Sequence, residues 1–166
     1  MVFLSIHNTA RATMSFHRGK SLACPYFVPR EILNDGSWPH PSRLPLGAGW
    51  TGECCATGTR TQPEDSAIRE FCNLGYAAGC QHLPEARDWD AVRFIVAGTG
   101  SNQITLSFVC ELGHAPAEHG RLIFDFVHEK WLAVHADARV QRLAESYLRS
   151  YRVRQASPSI EQVITS

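Results

Sequence analysis

The chain has no net charge, no long apolar run, no C-x2-4-C cysteine pair and no internal repeat, and each absence removes a class of function. Sixteen Lys and Arg stand against sixteen Asp and Glu, for a formal charge of zero. The basic excess that drives nucleic-acid binding is therefore missing, and no nucleic-acid partner is expected. No stretch approaches the roughly 20 consecutive apolar residues that span a bilayer, so no membrane partner is expected either. The opening MVFLSIHNTARATMSFHRGKSLA begins apolar, but Asn8, Arg11, His17, Arg18 and Lys20 interrupt it before an export-signal core develops. The compartment this implies is the cytoplasm, where thiols stay reduced.

Against these absences stand six cysteines. In a reducing compartment they read as metal ligands or buried thiols rather than as three disulfides. Cys24, Cys54, Cys72 and Cys80 run through a segment with little apolar periodicity, separated by 29, 17 and 7 residues. Structural zinc usually takes close C-x2-4-C pairs, because one tight turn presents two sulfurs to a tetrahedral ion. Bacterial ferredoxins also use close spacing. Spread thiols suit a centre larger than one ion, gripped from several loops, and Cys24 is followed by Pro25, as some cluster ligands are. The leading expectation is one [4Fe–4S] cluster held by Cys24, Cys54, Cys72 and Cys80, in electron transfer or in a redox accessory subunit that works with a protein partner. A structural-zinc interaction module is the alternative. A small cysteine-dependent enzyme, pairing a thiol with His40 or His82, comes third, since nothing local marks one thiol as activated.

The remaining two cysteines read differently. Cys55 adjoins Cys54, and adjacent side chains in extended chain point to opposite sides, so one of the two is a spare thiol. Cys110 shares strand parity with Ile104, Leu106 and Phe108 and reads as a small buried hydrophobe with only a packing role. His40 and Arg43, in the rigid segment Trp38-Pro39-His40-Pro41-Ser42-Arg43, are candidate groups around a cluster sulfur. Glu111, His114, Glu118 and His119 gather near one hairpin connection and read as solvated loop residues. The arginines of the last helix read as a solvated face that also suits the helix dipole.

The predicted fold class is α+β. Residues 24–154 form one domain, with 1–23 and 155–166 as tails. Its first part, 24–90, carries the cysteines. From Pro25 to Pro63 there are six prolines and five glycines in 39 residues, which predicts extended loop and tight turns. A short helix follows Pro63, with Cys72 in its last turn and Gly75 as its cap. In the second part, 91–154, alternation predicts three strands around Val92–Val96, Ile104–Cys110 and Leu122–Phe126. His114–Gly120 forms the second connection. A helix from about Ala136 to Val153 carries the stripe Val140, Leu143, Tyr147, Leu148 and Tyr151.

Overall fold

The computed structural model describes residues 22–74 and 79–156. The expected α+β arrangement of a small antiparallel sheet with a C-terminal helix holds, and a second antiparallel sheet of two strands joins the four-stranded one. The larger sheet runs in the order β3 (Ala91–Thr99), β4 (Gln103–Leu112), β5 (Ala115–Asp125), β6 (Lys130–Ala133). Alternation fixes its faces. Ile104, Leu106, Phe108 and Cys110 are all buried on one side of β4. Helix α2 (Ala138–Ala156) turns Val140, Leu143, Ala144 and Leu148 into the same core.

Two details of this sheet differ from the sequence expectation. The connection assigned to His114–Gly120 is only a tight turn, because Gly113 and His114 both adopt positive φ (56° and 65°) and close the hairpin directly. Pro116 then lies inside β5, beside a bulge at Cys110/Glu111 and in the part of β5 that β6 does not reach, where a missing N–H costs no ladder bond. A fourth strand, β6, is added by a short segment of four residues that shows little alternation.

The Pro/Gly-rich segment is not loop throughout. β1 (Phe27–Leu33) and β2 (Gly49–Cys54) form an antiparallel ribbon, with Phe27 opposite Cys54 and Ile32 opposite Trp50. Pro29 is tolerated because the register shifts between it and Ile32. Trp50, Phe27 and Leu46, exposed by 1%, 2% and 3%, belong to the same core cluster as β4 and α2. The cysteine-bearing segment therefore shares one core with the sheet. Leu22 and Ala23, placed in the tail by sequence, are buried, and Ala23 exchanges two backbone hydrogen bonds with Val92 of β3 (2.6 and 2.8 Å).

The helix expected after Pro63 is a single turn, α1 (Asp65–Ala67), that runs into a π-helical turn at Ile68–Cys72. The proposed cap at Gly75 lies outside the described residues. Among the described residues no helix is long and apolar enough to cross a membrane.

Candidate metal centre

Each of the four widely spaced cysteines is delivered by a different local device. Cys24 begins a turn through Pro25 that is closed by the Phe27 N–H donating to the Cys24 carbonyl at 3.2 Å. Cys54 ends β2, and Thr61 exchanges two backbone hydrogen bonds with it (2.8 and 2.9 Å), which ties off the loop beyond. Cys72 ends the π turn. Cys80 opens a turn closed by the Leu83 N–H on its carbonyl at 3.1 Å. Together the four side chains line one cavity, walled by Tyr26, Phe27, Phe71 and Leu83.

The π turn sets the position of Cys72, its last residue. The Asn73 N–H reaches the Ile68 carbonyl at 3.1 Å, one residue further back than in an α-helix. The buried Asn73 side chain accepts from the Trp50 N–H at 2.8 Å and donates to the Trp50 carbonyl at 2.9 Å and to the Ile68 carbonyl at 3.1 Å. It acts as a substitute strand for β2. The turn holding Cys72 is thus clamped to the strand that ends in Cys54.

Burial shapes the thiols. Desolvation pushes Cys24 up to about 12, and neighbouring Cys54 and Cys80 add to this, while the backbone N–H groups of Tyr26 and Phe27 on its sulfur oppose it. Cys72 is also pushed up to about 12, by burial first and then by Cys24, Cys54 and Cys80. Cys24 and Cys72 thus both feel Cys54 and Cys80 as potential charges, as groups around one site do. All six cysteines are free.

The neighbouring thiol is engaged elsewhere. Cys55 donates its S–H to the Tyr26 carbonyl at 3.3 Å, and its backbone N–H binds the same oxygen at 2.9 Å. Cys54, not Cys55, is on the cavity wall. His40 and Arg43 are exposed on the 3-10 turn Pro41–Arg43 and are not among the lining residues. His82 lines the cavity instead. The sequence signal for His82 is its place two residues after Cys80, although the sequence alone suggests it only as a base for a reactive thiol.

The structure contains a second candidate metal-ligand group: Cys110, Glu118 and His135, whose donor atoms lie within 4.8 Å of one another. Strand pairing sets Cys110 opposite Glu118, and His135 reaches over from the β6–α2 connection. Cys110 thus keeps the buried parity expected of it while also facing two potential ligands. His135 escaped the sequence reading because nothing in a lone histidine before a helix tells which strand it will cover. Its ring packs edge-on against Phe108 (4.7 Å between centroids) and Trp89 (5.9 Å). The Asp137 N–H donates to Nδ1 at 2.9 Å, so the neutral ring carries its proton on Nε2 and gives it to Glu118 Oε1 at 3.0 Å. Metal-bound histidines normally donate from the nitrogen away from the metal. An ion on Nε2 here would displace a proton and leave two N–H groups facing each other at Nδ1.

Comparison with protein-family models, with curated proteins and with solved structures finds no match to this chain.

Proposed function

We propose that Cys24, Cys54, Cys72 and Cys80 hold one [4Fe–4S] cluster and that the protein transfers electrons or serves as a redox accessory subunit to a protein partner. The observation that carries this reading is that four free thiols, far apart in sequence, line a single cavity with mainly apolar walls. Sulfurs sharing one zinc ion stand roughly 4 Å apart, whereas those around a cubane are about 6–7 Å apart. Among the described residues, the group gathered within 4.8 Å is the Cys110 trio, not any three of these four sulfurs. The wider setting favours a cluster. The N–H groups of Tyr26 and Phe27 directed at the Cys24 sulfur suit a thiolate that bears cluster charge, and Tyr26, Phe27 and Phe71 supply an aromatic wall.

Structural zinc is the second reading, and the size of the void favours it. The cavity volume is about 20 Å³, little more than the 10–15 Å³ or so that one water occupies on the same measure. A single ion enters such a space if the sulfurs contract, whereas a cubane requires the walls to yield.

Anaerobic purification followed by iron, acid-labile sulfide and zinc analysis tests both. A brown protein with iron and sulfide in near-equal amounts supports the cluster. A colourless protein with one zinc supports the second reading. Protein that binds neither after anaerobic reconstitution overturns the metal centre.

A further inference from the structure

Most arginines on α2 are already committed. Arg139 pairs with Asp137 (2.7 Å) and Asp88 (3.2 Å), Arg152 pairs with Glu129 (3.0 Å), and Arg154 donates to the Gly47 carbonyl. Among the described residues Arg142 and Arg149 have no ion-pair partner. Seven residues apart, they lie two turns along the same helix face.

Across from them, β1 contributes Arg30, and the three arginines line a pocket of about 240 Å³. Glu145 is the one carboxylate among the lining residues. Arg30 also binds Glu53 at 2.6 Å, while Arg149 reaches only the Arg30 carbonyl, at a long 3.5 Å. Part of the wall is Trp50, over whose ring the Arg149 guanidinium sits at 5.5 Å. Trp50 is 1% exposed, and its indole Nε1 is one of the buried polar atoms without a partner. Like charges held together around a recess repel one another unless an anion joins them. Guanidinium groups match the oxygens of phosphate and carboxylate in pairs, and the pocket is larger than either group alone.

From this juxtaposition of Arg30, Arg142 and Arg149 around a pocket that Trp50 also lines, we propose an oxyanion-binding site that takes the phosphate or carboxylate group of a small molecule. The aromatic wall and Pro29 accommodate the less polar part of such a ligand. None of the four cysteines of the cavity lines this pocket, so the proposal is independent of the metal centre.

The test is titration of the full-length protein at low ionic strength with inorganic phosphate and, separately, acetate, followed by calorimetry and tryptophan fluorescence. Saturable binding of either probe is expected, and the preferred one identifies the anion. The double variant Arg142→Gln/Arg149→Gln should weaken binding by about tenfold or more, since two charge-assisted hydrogen-bonding groups are lost. Arg121→Gln, on the exposed side of β5, should leave it unchanged. Circular dichroism and metal content of the double variant should match the parent protein. Absence of saturable binding by both probes overturns the site, as does a double variant that binds like the parent or a loss as large in Arg121→Gln.

Discussion

Asn73 grips both backbone polar groups of Trp50, accepting its N–H at 2.8 Å and donating to its carbonyl at 2.9 Å. This one buried amide joins the π turn that ends in Cys72 to the strand that ends in Cys54. Replacing Asn73 by Ala leaves the Trp50 N–H and carbonyl unsatisfied. Each such buried group costs about 1–3 kcal/mol, so a loss of about 3 kcal/mol is expected in chemical denaturation. Asn73→Asp keeps one acceptor but sets a carboxylate oxygen against the Trp50 and Ile68 carbonyls, and should cost at least as much. If the clamp positions Cys72, both variants also lower metal content. A variant that is destabilised but binds metal normally would separate the clamp from the centre.

The cysteines divide into two groups that single substitutions distinguish. Serine at Cys24, Cys54, Cys72 or Cys80 should each reduce iron, or zinc in the second reading, measured per chain. Cys55→Ala should not, because its thiol is turned to the Tyr26 carbonyl. Equal metal loss from Cys55→Ala would mean that the cavity as described is not the site.

Cys110→Ala distinguishes the two candidate ligand groups. Removing a small, fully buried side chain from this packed face should cost about 1 kcal/mol in denaturant. Metal content should stay at the parent level. Metal lost on this substitution and on Glu118→Gln would shift the centre to the Cys110, Glu118 and His135 group.

The buried thiols give a signed pH dependence. In the metal-free folded protein Cys24 and Cys72 are held near 12, against 9.0 for an ordinary thiol. Between those values the folded chain keeps protons that the unfolded chain has released. Stability is therefore full below about pH 9 and falls as pH rises toward about 12. Thermal denaturation of the metal-free protein should show a plateau and then a decline. Metal uptake runs in the opposite sense: thiolate ligation releases these protons, so affinity should rise with pH in competition titrations. Equal metal-free stability at about pH 8 and about pH 11 would show the thiols to be solvated in the folded state.

His135→Ala should be costly for reasons that have nothing to do with metal. It opens a hole beside Phe108 and Trp89 and leaves the Asp137 N–H, at the start of α2, without its acceptor. A loss of about 2–4 kcal/mol is expected. Glu118→Gln retains an acceptor for Nε2 on a half-exposed side chain and should change stability by less than about 1 kcal/mol.

Strand periodicity made the larger sheet legible. Ile104, Leu106, Phe108 and Cys110 announce both a strand and its buried face, and the stripe on α2 announces its partner. β1 and β2 were hidden because their pairing is long-range and one contains Pro29, so local propensity argues against them. The turn at Gly113 and His114 was obscured by Pro116, which signals loop unless the missing ladder partner is known. At the cavity, residue type identified Cys24, Cys54, Cys72 and Cys80. Neither spacing nor composition distinguishes Cys54 from Cys55, because that choice is made by the Tyr26 carbonyl, 29 residues away along the chain. The settings of His135, Arg142 and Arg149 depend on which strand lies beneath them, and only three dimensions supply that.

The two hydrogen bonds between Ala23 and Val92 make the residue just before Cys24 depend on a strand that follows Cys80 in the chain. The cysteine segment is therefore not a portable motif. Grafted into another host, or synthesised as a fragment ending before β3, it would carry every thiol and still lack the backbone anchor that holds the first of them. During translation, likewise, these two bonds cannot form until β3 has left the ribosome, so the backbone anchor beside Cys24 is among the last parts of the cavity to be set.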